Sequence, residues 1–302
     1  MDNLKTNFYS EIRTNNFKTY ILFLCFFIFI GLVGFALQYI FSDFGVGILF
    51  IAGVFAIVYA LVGYYAGDKI VLATSRAKLI EPDKNSKHKF LDNLVEGLSI
   101  ASGIPKPKVY IIQDKSPNAF ATGRSPKHSS IAVTSGILEI LNREELEGVV
   151  AHELSHIRNR DIKVMTIATV LFGLIMMVSD IAFRGILFGG ASGGNNNNKN
   201  PVILIIAIIF VVLSPIIAMM IKMSISRKRE FLADASGAKI TRYPQGLANA
   251  LKKISGVNIP VSGASKGTAH LYIINPFRGN RLSKMFSTHP PIEERIKKLE
   301  SM

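Results

Sequence analysis

The chain has 302 residues, of which 49% are hydrophobic and 19% are charged. This balance excludes an ordinary soluble domain and indicates a protein with membrane-spanning segments. The net charge of +14 raises the alternative of a nucleic-acid-binding protein, but lysine and arginine flank the apolar segments instead of forming one basic, aromatic-rich block. We therefore expect the lipid bilayer as the partner of this charge, and no nucleic acid. The single cysteine, Cys25, excludes a disulfide within the chain and argues against cysteine as a metal ligand.

The first two apolar segments predict a hairpin of two transmembrane helices over residues 20–66. Tyr20–Phe41 and Val46–Ala66 contain no charged residue, and each is long enough to cross a hydrocarbon core of about 30 Å as a helix. A cleaved signal peptide is the alternative for the first segment, but the apolar stretch exceeds a typical signal core and no A-x-A site follows it. Basic residues flank the hairpin on both outer sides, so residues 1–19 form an expected cytoplasmic N-terminus.

A second pair of apolar segments occupies residues 164–221. The first of them is interrupted by Asp180 and Arg184, which are four residues apart and could pair on one helix face. The second, Pro201–Ile221, carries no charge. A Gly/Asn-rich linker at 189–200 joins the two and is expected to be exposed. The pair forms either two further spans or the walls of a cavity beside the active site.

The remaining residues, 67–163 and 222–302, are expected to form the two halves of one cytoplasmic domain. Within the first half, three short segments are predicted to be β-strands, the middle one because it follows a Ser-Pro turn. These are Lys108–Gln113, Asn118–Gly123 and Ser129–Ser135.

The pattern H-E-x-x-H, which begins at His152, carries the clearest chemical signal. Positions i and i+4 of a helix return to nearly the same face, so His152 and His156 can direct one imidazole each at a single ion. Glu153 lies about 100° further round the helix axis. Its carboxylate can therefore act on a metal-bound water without itself ligating the ion. Asn142 is a candidate N-cap, and Glu145 follows three residues later, as in a capping box. A chance match is the alternative, but histidine is rare, with six in the chain.

A catalytic zinc site usually has a third protein ligand and an open position for water. Glu230 and Asp234 are again four residues apart, so one helix face would hold both carboxylates. We predict that Glu230 ligates the metal and that Asp234 accepts the outer N–H of a metal-bound histidine. A solvated, charged turn is the alternative, because arginine and lysine surround the pair. The ligand types favour one zinc ion per chain.

A small sheet followed by a metal-binding helix suits a zincin-like protease. In such an enzyme, a peptide substrate can add to an exposed edge strand through main-chain hydrogen bonds. The candidate edge strand supplies the predicted substrate-binding residues, which are Asn118, Ala119, Phe120, Ala121 and Thr122. An ordinary surface hairpin explains this segment equally well. The expected fold class is a mainly α membrane protein with four apolar spans and a cytoplasmic, zincin-like α+β catalytic domain with a small sheet.

Two more residues are candidates for stabilising a developing oxyanion. His289 is held extended by the proline after it, and Arg227 lies one turn before Glu230. The alternatives are a capping role for His289 and a membrane-surface anchor for Arg227. The other histidines, His88, His128 and His270, have no local partners and are expected at the surface.

The chain resembles the HtpX-type membrane zinc metalloproteases, which are relatives of the CAAX prenyl proteases. The resemblance rests on H-E-L-S-H, on S-R-K-R-E-F-L-A-D after two apolar runs, on N-A-F-A-T-G and on S-T-H-P-P-I-E-E-R-I, and it covers almost the whole chain. It implies His152, His156 and Glu230 as zinc ligands, Glu153 as the catalytic base and Asp234 as the partner of a zinc histidine. The run of asparagines in the linker departs from the family pattern.

The function expected from these residues is hydrolysis of peptide bonds at a cytoplasm-facing site. The resemblance implies a multi-pass protein of the bacterial cytoplasmic membrane that degrades misfolded or damaged membrane proteins, as in a stress response. A site-specific processing protease of the CAAX type is one alternative. A non-catalytic, metal-stabilised membrane scaffold is another, although it would not need Glu153. Natural substrates and oligomeric state are not predicted.

Overall fold

The computed structural model describes residues 2–40, 46–189, 227–265, 267–277 and 290–302. The elements in chain order are α1 (Asp2–Ile40), α2 (Gly47–Thr74), β1 (Lys78–Leu79), α3 (Ser86–Ser102), β2 (Lys108–Ile112), β3 (Ala119–Ser125), β4 (His128–Thr134), α4 (Ser135–Ile140), α5 (Arg143–Arg158), α6 (Asp161–Gly189), α7 (Arg227–Thr241), α8 (Pro244–Gly256), a 3-10 turn (Ala269–Leu271) and α9 (Ile292–Glu300). Outside the described residues lie the fourth apolar run, the linker after residue 189, His289, and the side chains of Asp180 and Arg184.

Both helices of the N-terminal hairpin are present and pack against each other. Arg13–Phe35 within α1 and the whole of α2 are long and apolar enough to cross a membrane. Helix α1 begins at Asp2, upstream of its apolar run, so the polar N-terminal residues continue the same helix. Large apolar side chains on α2, such as Phe50 and Ile51, are exposed, as expected for a surface in contact with lipid.

The third apolar run forms the long helix α6. Its first half is buried, and Val164 and Leu171 pack in one apolar cluster with Leu22 and Phe26 of α1. Within the described ranges, α1 and α2 are the two helices that qualify as candidate spans. Four spans therefore stay a prediction, while the packing joins α6 to the N-terminal hairpin.

All three strands expected from the sequence are present and form a mixed sheet with β1, in the order β1-β2-β4-β3. Strand β2 runs parallel to β4, and β3 runs antiparallel to β4. The two-residue strand β1 was not predicted, because two residues are too short to show an alternating pattern. Strand β3 lies at an edge of the sheet, as expected, but its first five side chains are buried. An ordinary surface hairpin is therefore not what this segment forms.

Helix α5 lies at the centre of the main apolar core. It packs against β3, α3, α7 and α8, and every residue from Gly148 to Ile157 is buried. Leu154 and Val150 share a cluster with Ile131 of β4 and Leu251 of α8. Burying one such aliphatic side chain contributes about 1.5–3 kcal/mol relative to exposure. The helix that carries the H-E-x-x-H pattern is thus held rigidly on all sides.

Candidate metal centre

The predicted start of the H-E-x-x-H helix is confirmed. The Asn142 side chain accepts from the backbone N–H of Glu145 at 2.9 Å, and the Glu145 carboxylate accepts from the backbone N–H of Asn142 at 2.9 Å. This reciprocal capping box fixes where α5 begins. It thereby sets the faces on which His152, Glu153 and His156 lie.

The structure brings the three predicted metal ligands together. The Nε2 atoms of His152 and His156 are 3.2 Å apart. The carboxylate oxygens of Glu230 lie 3.8 Å and 3.6 Å from the Nε2 atoms of His152 and His156, respectively. One potential ligand atom from each residue lies within 4.8 Å of the others, and all three residues are buried. This is an arrangement that could hold one metal ion.

Each histidine turns its other ring nitrogen toward a separate carboxylate. Nδ1 of His152 lies 2.9 Å from Asp234, as the sequence predicted. Nδ1 of His156 lies 3.0 Å from Asp161, the first residue of α6, which the sequence analysis missed. A carboxylate at Nδ1 takes the N–H there, so both Nε2 atoms present lone pairs to each other when the two imidazoles are neutral. Two lone pairs at 3.2 Å repel, and a cation between them would remove the repulsion.

Arg295 of α9 is a second residue that the sequence analysis missed. Its side chain is fully buried and donates to both oxygens of Asp234, at 2.9 Å from Nε and 2.7 Å from Nη2. The contact from Nη2 to Nδ1 of His152 is 3.5 Å, too long to compete with the bond that His152 makes to Asp234. Arg295 thus holds the carboxylate that orients His152.

The charges around the site favour a cation. Burial alone would lower the pKa of His156, but Asp161, Glu230 and Glu153 outweigh it and raise that pKa to about 9. The pKa of His152 is lowered because burial dominates over the bond to Asp234. Without another cation, the cluster would take up a proton at His156. The donor set and the surplus of negative charge therefore both fit a divalent metal.

Glu153 sits beside the cluster as a buried carboxyl group. Its Oε1 has no hydrogen-bond partner among the described residues. Burial raises its pKa to about 7, with the nearby positive charges of His156 and Arg295 and a backbone hydrogen bond from Ala121 acting in the opposite direction. An unsatisfied buried oxygen is costly in a purely structural position. The burial and the raised pKa of Glu153 fit the role in proton transfer that the sequence predicts.

Most of the predicted substrate-binding residues at β3 are already bonded within the protein, and the main chain of Ala121 points away from the sheet. The side chain of Asn118 donates to the main-chain oxygen of Ile274 at 2.9 Å, and the oxygen of Ala119 accepts from Ile273 at 2.9 Å. Thr122 bonds the hydroxyl of a residue on α6 through its own side chain. By the two-residue alternation of a strand, the main-chain groups of Ala121 point away from β4, on the same side as those of Ala119. The ring of Phe120 packs edge-on against Tyr272 instead.

The remaining predicted residues are not brought to the cluster by the described structure. Arg227 is exposed at the first position of α7. His289 lies outside the described residues. The expectation that His270 lies at the surface is wrong, because its ring is buried and its Nε2 lies 3.3 Å from both the hydroxyl of Thr169 and the main-chain oxygen of Met165.

Comparison with known proteins agrees with this geometry. The profile of peptidase family M48 matches residues 85–302. A protein named Protease HtpX homolog from Caldanaerobacter subterraneus subsp. tengcongensis is 44% identical over 296 residues, which is 97% of each chain. A protein of the same name from Lactobacillus acidophilus is 44% identical over 97% of this chain and 99% of its own.

Among solved structures, S. mikatae Ste24p superposes with a TM-score of 0.51 at 21% identity, over 87% of this chain and 61% of that chain. At this identity the likeness concerns the fold. The family profile and the relatives that match nearly end to end decide the assignment: this chain belongs to peptidase family M48 and is a membrane metalloprotease.

Proposed function

We propose that this chain is a zinc-dependent endopeptidase that hydrolyses peptide bonds of misfolded or damaged membrane proteins on the cytoplasmic side of a bacterial membrane. One observation carries the proposal. Two histidine Nε2 atoms and a carboxylate converge on one point, and beside them stands a buried carboxyl group with an oxygen that no described residue partners. Among the residues that the structure describes, three side chains can ligate the ion and leave a fourth position open, which is typical of a catalytic zinc site; a structural zinc site normally has four protein ligands. This count favours an enzyme over a scaffold.

His152, His156 and Glu230 would hold the single zinc ion. Zinc in such a site supplies Lewis-acid chemistry, activating water and polarising the scissile carbonyl. Asp234 and Asp161 keep the two imidazoles in the tautomer that offers Nε2. Because these hydrogen bonds form without the metal, the two imidazoles are already oriented. Little reorganisation of the side chains would therefore accompany metal binding.

Glu153 would act as the general base. Its Oε1 accepts the proton of the attacking water and then delivers it to the leaving amine. General acid–base help of this kind contributes typically 10²–10⁴-fold to a rate. His289 and Arg227 stay candidates for stabilising the developing oxyanion, since Arg227 lies one helical turn before Glu230.

The substrate would bind in extended form along β3. Of the predicted residues 118–122, Ala121 has main-chain groups that point outward, as an added strand requires. Its N–H bonds the carboxylate of Glu153, so its main-chain oxygen would be the acceptor for an incoming strand. Binding through main-chain atoms depends little on side chains. A protease that removes damaged proteins of many sequences needs this tolerance, whereas a CAAX-type processing enzyme needs a defined end group.

The membrane placement rests on the N-terminal hairpin and on charge. Helices α1 and α2 are long and apolar enough to span, and basic residues flank them on both outer sides. By the positive-inside rule these flanks, and the catalytic domain that follows, would lie in the cytoplasm. Membrane proteins would then lie within reach of the site.

The test is proteolysis of an unfolded model protein by the detergent-purified chain, with bound zinc quantified. Wild type is compared with Glu153→Gln and with Glu147→Gln, a matched control on the same helix whose carboxylate pairs with Arg143. We expect one zinc per chain in all three and cleavage by wild type and Glu147→Gln alone. Loss of zinc in Glu153→Gln would contradict its role as base. Zinc without cleavage in wild type would favour the scaffold, and cleavage restricted to a prenylated CAAX peptide would favour the processing enzyme.

A further inference from the structure

A polar residue of the first membrane helix reaches the metal centre through a chain of hydrogen bonds. Asn15 lies near the start of the candidate span in α1 and is only 1% exposed. Its Nδ2 donates to Oδ1 of Asp161 at 2.8 Å and to the main-chain oxygen of Asn159 at 3.2 Å. The residues joined in this way are 144 and 146 positions apart in sequence.

Asp161 uses its two oxygens for two different partners. Oδ1 accepts from Asn15, and Oδ2 lies 3.0 Å from Nδ1 of His156. Arg229 approaches Oδ1 at 3.7 Å, which is an ion pair without hydrogen-bond geometry. A carboxylate at the start of a helix can rotate about its last side-chain bond. The short bond from Asn15 therefore selects the rotation that keeps Oδ2 on His156.

The orientation of the Asn15 amide follows from its partners. Both groups that it contacts are acceptors, so the nitrogen must face them and the amide oxygen must point away. That oxygen, Oδ1, has no hydrogen-bond partner among the described residues. A buried amide with one half unsatisfied is less favourable than an apolar side chain at the same position. Its presence is explained by the bond to Asp161.

We propose that Asn15 is a positioning residue of the metal centre, linking the docking of α1 to the orientation of His156 through Asp161. This inference rests on the proposed function, because it takes His156 as a metal ligand. The first membrane helix is then part of the metal-binding unit as well as a membrane anchor. Displacement of α1 from α6 would release Asp161 and with it the imidazole of His156.

The neighbouring residue provides a matched control. The side-chain oxygen of Asn16 accepts from Nζ of Lys163 at 3.3 Å, so it also joins α1 to α6. Among the described residues it makes no hydrogen bond to Asp161, and it is half-buried. Asn16→Ala thus weakens the packing of the same two helices and leaves the bond to Asp161 in place. A second control is Thr19→Val, since the buried hydroxyl of Thr19 donates to the main-chain oxygen of Asn15 in its own helix and bonds no other described residue.

The experiment measures the zinc affinity of the full chain in detergent by competition with a chromophoric chelator. Asn15→Leu keeps the branching and the number of heavy atoms of the side chain and removes the donor, and Asn15→Ala serves if the larger leucine side chain does not fit. We expect both to bind zinc about tenfold more weakly than wild type, because loss of a hydrogen-bonded support of a ligand typically costs 10–100-fold in affinity. Asn16→Ala and Thr19→Val should stay within about twofold.

The absorption spectrum of the cobalt-substituted protein provides the second readout. Cobalt d–d bands report the geometry of the ligands, so they should change in the Asn15 variants and not in the controls. Wild-type zinc affinity and an unchanged cobalt spectrum in folded Asn15→Leu or Asn15→Ala would overturn the inference while leaving the metal site intact. If wild type itself binds no zinc, the proposed function and this inference fall together. Equal losses in Asn15 and Asn16 variants would assign the effect to helix packing and also overturn it.

Discussion

Replacing Arg295 tests the geometry of the metal centre most directly. Its guanidinium makes three hydrogen bonds, two to Asp234 and one from Nη1 to the main-chain oxygen of Ile273 at 2.9 Å. In Arg295→Met, a flexible apolar side chain fills much of the same space and all three bonds are lost. Asp234 is then left buried with one close partner, Nδ1 of His152 at 2.9 Å.

The magnitude follows from this count. Removing one partner of a buried ion pair costs about 3–5 kcal/mol, because the other charge stays buried without compensation. Because Asp234 keeps its bond to His152, we expect the loss in the free energy of unfolding to stay within that range. Folded proteins are stable by about 5–15 kcal/mol, so Arg295→Met should fold with a reduced margin. Because Asp234 also loses its fixed orientation, zinc affinity should fall by roughly 10–100-fold.

The free energy of unfolding is measured by chemical denaturation in detergent and followed by circular dichroism, since the chain contains no tryptophan. Lys297→Met, an exposed change on the same helix, should stay within about 0.5 kcal/mol of wild type. Arg295→Lys keeps the charge without the two-pronged geometry and should fall between wild type and Arg295→Met. A loss below about 1 kcal/mol in Arg295→Met, with zinc affinity retained, would refute the reasoning.

Further predictions concern close helix packing and metal binding. A Cβ at Gly237 of α7 would lie 3.0 Å from the backbone nitrogen of His152, so Gly237→Ala should cost about 1–3 kcal/mol and weaken zinc binding, as read by denaturation and chelator competition. Gly97→Ala on the exposed face of α3 meets nothing within 4 Å and should instead stabilise by about 0.5–1 kcal/mol. Zinc at 100 times its dissociation constant should raise the free energy of unfolding by about 2.7 kcal/mol, and this gain should vanish in His152→Ala. A zinc-independent unfolding midpoint in wild type would contradict the metal assignment.

The parts of the site that could be predicted are those set by local sequence. Helical spacing places His152 and His156 on one face whatever surrounds them, and the capping box at Asn142 is complete within four residues. Two of the three strands were recognised because they are short and rich in β-branched residues, and the middle one was recognised because it follows a Ser-Pro turn. The spacing of Glu230 and Asp234 likewise predicts that both carboxylates lie on one helix face. The sequence does not predict which segment that face contacts, because this depends on the fold.

The missed residues are supplied by tertiary contacts. Arg295 lies on the same helical face as Ile292, Ile296 and Leu299, all of which are buried or half-buried. An arginine among apolar residues at this spacing indicates a buried cation that needs a carboxylate partner, but the sequence alone does not identify that carboxylate. Asn15 gives no such signal, because a polar residue at the edge of an apolar run is ordinary and its partner follows almost 150 positions later.

The two histidines are supported by two routes that have no residue in common. Asp234 and Arg295 hold His152 from the C-terminal helix, and Asp161 and Asn15 hold His156 from the first helix. If each route orients only its own imidazole, the losses of zinc-binding free energy in Arg295→Met and Asn15→Leu should add within about 0.3–0.5 kcal/mol in the double variant. Chelator competition on the four proteins of this cycle measures the sum. A coupling of about 1 kcal/mol or more would show that both histidines shift together with α5. The assignment of one independent support to each histidine would then have to be abandoned.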